Sequence, residues 1–96
     1  MTVPTVIRYR LHTEHVSPVL VAKYFDGFTI INGRGYYQGK GESSVAIEII
    51  GTIDDAAKVT TLARDIREQY RQTEVWITTE EISLTRVTID AEKQGL

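Results

Sequence analysis

Residues 54–72, DDAAKVTTLARDIREQYRQ, place Val59, Leu62, Ala63, Ile66 and Tyr70 on one face of a helix and charged side chains on the other. Asp54 and Asp55 stand at its start, where the helix dipole favours negative charge. An apolar stripe of this length has to be covered, and the segments on either side have the composition of strands. In TVIRYRLH (5–12), Ile7, Tyr9 and Leu11 alternate with Arg8, Arg10 and His12, the period-2 pattern of a half-buried strand. Ser17 followed by Pro18 is a helix-start signal, and a short helix is expected over about 17–25, ending near Asp26-Gly27.

FTIINGRGYYQ (28–38) and SSVAIEII (43–50) are rich in β-branched and aromatic residues, and the glycines of GKGE between them predict a hairpin. Asn32-Gly33 is either a tight type I′ turn or a bulge in one long strand, and the β-forming residues on both sides favour the bulge. EVWITTEEISLTRVTID (74–90) returns to strand composition, but its alternation changes phase between Leu84 and Val87, so a bulge or a break into two strands is expected. The order strand, helix, strand, strand, helix, strand, with an extra C-terminal strand, predicts an α+β fold, the split βαβ arrangement of a ferredoxin-like sandwich in one domain spanning 1–96. Both helices would cover one sheet face. The other would carry Arg8, Arg10, His12, Ala46, Glu48, Ile50, Trp76 and Thr78, a mixture too apolar to leave in water, so a homo-oligomer is expected.

With 11 basic and 13 acidic side chains interspersed along the chain, the formal charge is -2, which argues against nucleic-acid or anionic-membrane partners. The absence of cysteine removes thiolate metal sites and thiol nucleophiles together. The N-terminus MTVPTVIRYR has no apolar signal-peptide core, so a cytoplasmic location is expected, including the interior of an infected host cell.

The stretch NGRGYYQGKGESS (32–44) is the one place with the look of a ligand site. Its glycines lie between two strands instead of between a strand and a helix, so they do not form a phosphate cradle. Arg34-Gly35-Tyr36 matches the start of an RNA-binding sheet signature, and the match stops there. His12-x-x-His15 falls at a strand end, where no helix presents both imidazoles to a metal, and neither histidine is placed beside Ser17, Ser43 or Ser44 to activate a hydroxyl. Glu80 and Glu81, as strand neighbours, point to opposite faces. Trp76 is either packed at a subunit contact or a stacking platform near Arg8 and Arg10.

The runs YFDGFTIINGRGYY, ESSVAIEII and IREQYRQTEVWIT resemble the central part of a family of small bacterial proteins known as a domain of unknown function. In that family a DGFTV strand, a Gly-aromatic pair, an EPS step into an aliphatic strand and a helix ending in Arg-Gln recur in this order. The likeness spans residues 24–79, with Ser43 in place of the proline, and implies the same ferredoxin-like fold. More remotely, the topology is similar to PII-like signalling proteins, trimers that bind nucleotides between subunits. The loop matching theirs, Gly39 to Glu42, is much shorter here.

These readings predict a non-enzymatic, homo-oligomeric binding or regulatory domain with no catalytic residues, metal or cofactor. It would hold a small anionic ligand such as a nucleotide near the hairpin or a subunit boundary, through Arg34, Tyr36, Tyr37, Lys40, Arg8, Arg10 and Trp76. The alternative is a protein-protein interaction module, such as a phage or mobile-element protein acting on a host factor.

Overall fold

A computed structural model of the chain describes residues 5–89. Strand β1 (Val6–Thr13) leads into the short helix α1 (Pro18–Ala22), then strands β2 (Thr29–Tyr37) and β3 (Lys40–Gly51), a 3₁₀ turn (Ile53–Asp55), helix α2 (Ala56–Gln69) and strand β4 (Trp76–Ile82). The sheet order is β2-β3-β1-β4, and every neighbouring pair is antiparallel. This is the ferredoxin-like α+β arrangement expected from the order of elements.

Period-2 alternation decides which side chains meet. Ile7, Tyr9 and Leu11 of β1 and Ile47 and Ile49 of β3 point under the helices and join Leu20, Val21, Val59, Leu62 and Ile66 in a single buried core. The Tyr9 hydroxyl crosses this layer to donate to the Thr52 carbonyl at 2.5 Å. Burial, with the Asp55 and Asp54 charges adding to it, pushes the Tyr9 phenol above its ordinary pKa. The start of α1 is held twice: Ser17 Oγ accepts from the Val19 N–H, and the Ser17 N–H donates to Tyr70 Oη, just past the end of α2, at 2.8 Å.

Three expectations are corrected. Asn32-Gly33 is neither a turn nor a bulge: the β2–β3 register runs unbroken from Thr29↔Glu48 to Tyr37↔Lys40. The β-branched and aromatic residues on both sides of the pair keep it extended. The hairpin turn is Gln38-Gly39, earlier than GKGE, because Gln38 (φ 51°) and Gly39 (φ 79°) supply the two left-handed residues that a two-residue type I′ turn requires. The extra C-terminal strand does not form within residues 83–88, and Leu84 and Val87 stand exposed there. The phase change leaves no single apolar face with which to pair.

The turn separates the two hairpin glycines. Gly39→Ala is expected to cost about 1 kcal/mol, because alanine pays for a left-handed φ. Gly41 has no such φ; a Cβ there would come 2.6 Å from Arg34 Nε, the end of a flexible side chain that can move aside. Thermal melts should therefore rank Gly39→Ala as the more damaging of the two, and the reverse order would refute the turn assignment.

Candidate functional site

Strand β1 ends its pairing with β3 at Thr13↔Val45, so β3 runs on beside β2 alone and leaves a free edge over residues 40–44. A free strand edge offers unpaired backbone donors and acceptors. Opposite it lies the loop that follows α2. Between them is a cleft of about 660 Å³, walled by Tyr36, Tyr37, Glu42 and Ser44 on the hairpin side and by Arg71, Glu74 and Trp76 on the loop side, with His12 and Glu14 from the end of β1. That volume suits a small organic molecule, since such sites span about 300–1,000 Å³.

The loop wall is held by backbone geometry. The Arg71 N–H reaches the Glu68 carbonyl at 3.4 Å and the Gln72 N–H reaches the Arg67 carbonyl at 2.9 Å, the paired bonds that close a helix through a left-handed residue. Arg71 takes that conformation at φ 53°. Gln72 then ties the loop to the end of β1: its Oε1 accepts from Thr13 Oγ1 at 2.6 Å and from the Glu14 N–H at 3.2 Å, and its Nε2 donates to the His15 carbonyl at 3.3 Å. Both cleft walls are thus fixed to the same strand.

The open sheet face carries the residues expected on it. Arg8 lies between Ile50 and Glu80, Arg10 between Glu48 and Thr78, and His12 between Ala46 and Trp76. Arg8 Nε donates to Glu80 at 2.9 Å and Arg10 Nε to Glu48 at 2.9 Å. The hydrogen-bonded Arg8 guanidinium holds the Glu80 carboxyl below its usual range and is itself raised by the same bond. His12 Nε2 lies 3.2 Å from Thr78 Oγ1. Glu80 and Glu81 stand across from Arg8 and Ile7 respectively, on opposite faces as their spacing requires.

Of the seven residues singled out in the sequence, Tyr36, Tyr37 and Trp76 line the cleft, and Arg8, Arg10, Arg34 and Lys40 do not. Arg8 and Arg10 are engaged by carboxylates, and Arg34 lies over the Tyr36 ring, 6.0 Å from its centroid. The basic residues do not converge on one point. Sequence reasoning missed Glu42, Glu74 and Arg71. The signal for Arg71 is YRQTE: helices often close through a left-handed residue, and with no glycine after Tyr70 that position falls to Arg71. Among the described residues, no three His, Asp or Glu side chains are grouped to hold a metal ion.

No family model matches the chain, and neither does any curated protein. A solved structure does: a phage SAM lyase in complex with S-methyl-5′-thioadenosine, at a TM-score of 0.62 and 20% identity, over 84% of each chain. At that identity the likeness shows the fold alone. It nevertheless overturns the expectation of a non-enzymatic domain, because a fold shared over 84% of both chains carries a lyase. That expectation rested on the lack of a nucleophile, metal set or carboxylate pair in the sequence. No helix among the described residues is long and apolar enough to cross a membrane.

Proposed function

We propose that the cleft binds S-adenosylmethionine and cleaves it to S-methyl-5′-thioadenosine, as the name of the structurally similar phage lyase suggests for that protein. The observation that carries this reading is the chemistry of the lining. Glu14, Glu42 and Glu74 outnumber the single arginine, and Tyr36, Tyr37 and Trp76 present aromatic faces. Carboxylates and aromatic rings together favour a cationic ligand that also carries a flat ring, and a sulfonium joined to adenosine is such a ligand. This replaces the small anionic ligand expected from the sequence.

Cleavage can proceed without a protein nucleophile. A substrate α-carboxylate oxygen attacks Cγ, the S–Cγ bond breaks with its electron pair going to sulfur, and a five-membered lactone leaves beside the neutral thioether. No water or proton enters, and the two products together contain every atom of the substrate. The carboxylate and sulfonium charges both vanish along this path, so water stabilises the reactant more than the transition state. A cleft that strips water from the ion pair therefore favours the step. The protein's part is to bind, fold the aminobutyrate chain back on itself, and exclude solvent.

Incubation with S-adenosylmethionine, followed by mass spectrometry, is expected to yield S-methyl-5′-thioadenosine and the lactone at a rate above the protein-free control, with no ¹⁸O from labelled water in the freshly formed lactone. Product formation no faster than in the control would reject the reading.

A further inference from the structure

We propose that Arg71 is the anchor for the α-carboxylate of the bound adenosyl amino acid, an inference that rests on the ligand class proposed above. Glycine is the residue favoured at the left-handed position that closes a helix, and the chain places an arginine there at φ 53°. The position is not loose. It is fixed on one side by the bonds from the Arg71 and Gln72 N–H groups back to α2, and on the other by the Gln72 side chain on Thr13, Glu14 and His15. Arg71 lines the cleft, where it is the sole Lys or Arg among the described residues. Among the described residues no carboxylate stands within ion-pair distance of it, although Glu14, Glu42 and Glu74 line the same cleft.

A guanidinium carried on a fixed backbone position, lining a cleft and with no ion-pair partner among the described residues, matches a planar anion of the ligand, and the α-carboxylate is the one anionic group of an adenosyl amino acid. Contact through one oxygen leaves the second free to reach Cγ. With the carboxylate at Arg71, the adenosine extends toward Tyr37 and Trp76. The arginine is then a binding and orienting residue whose effect depends on whether the ligand carries the carboxylate.

Two ligands separate this from the wider reading: S-methyl-5′-thioadenosine, which has no carboxylate, and S-adenosylhomocysteine, which has one and lacks the reactive sulfonium. Calorimetric titration of the wild-type chain and of Arg71→Gly and Arg71→Lys is expected to show both ligands bound by the wild type. S-adenosylhomocysteine should bind at least tenfold more weakly to Arg71→Gly and by an intermediate amount to Arg71→Lys, with the thioadenosine affinity unchanged within twofold. Glycine suits the backbone conformation, so the melting temperature of Arg71→Gly should not fall. Equal losses for both ligands, or no loss for either, overturn the anchor while leaving the proposed ligand class standing. Failure of the wild type to bind either ligand removes that ligand class, and the anchor with it.

Discussion

Trp76→Ala is expected to weaken S-methyl-5′-thioadenosine binding by about 1–3 kcal/mol, roughly 5-fold to 150-fold, the usual effect of removing an aromatic surface from under a stacked base. The tryptophan is 63% exposed, pairs across β1 with His12 and lines the cleft. A ring so placed contributes little to the core, so the melting temperature should stay within a few degrees. The same residue also lies on the open sheet face with Ile31 and Ile50, both of them partly exposed, where a second copy of the chain would cover apolar area. Light scattering separates the two roles. Weakened binding at unchanged mass identifies a stacking platform; a fall in mass identifies a subunit contact. Unchanged affinity at unchanged mass would leave Trp76 with neither role and would count against the cleft as the ligand site.

The difference between what could and could not be read in the sequence has a physical basis. Ile7, Tyr9 and Leu11 alternate so regularly that their burial, and the placing of the half-buried Arg8, Arg10 and His12 on the other face, follow from strand parity alone. The stripe Val59, Leu62, Ala63 and Ile66 is equally direct, and all four are buried. The cleft was half legible. Tyr36 and Tyr37 stand out as aromatics among glycines, and Trp76 as an aromatic on the open sheet face near Arg8 and Arg10, but the carboxylates Glu42 and Glu74 come together only because β3 outruns β1 and Gln72 ties the loop after α2 to the end of β1. No local pattern encodes that meeting. Arg8 and Arg10 looked like ligand-binding cations because their partners, Glu80 and Glu48, lie 72 and 38 residues away in the chain and reach them only across the finished sheet. The hairpin turn was misplaced by a residue or two because Gln38 is an unusual choice for a left-handed position, whereas the glycines after it are the common one.

Leu62→Ala should produce the largest loss of stability, about 2–5 kcal/mol, because Leu62 is 0% exposed at the centre of the stripe by which α2 covers the sheet. A domain of this size has only about 5–14 kcal/mol in total, at roughly 0.05–0.15 kcal/mol per residue, and the loss corresponds to a fall in melting temperature of about 10–30 °C. Val19→Ala, at a position 70% exposed on α1, is the matched control and should melt with the wild type. The pair also probes the site. Arg71 and Gln72 hang from the end of α2, so the loop wall of the cleft depends on that helix remaining seated. Below its own melting temperature the leucine variant should bind S-methyl-5′-thioadenosine with near wild-type affinity, since the mutation depletes the folded fraction and leaves the cleft unchanged. A variant that melts within a few degrees of the wild type would refute the helix register. One that stays folded but loses the ligand would mean that α2 shifts on its sheet when Leu62 is cut back, carrying Arg71 and Gln72 away from β1.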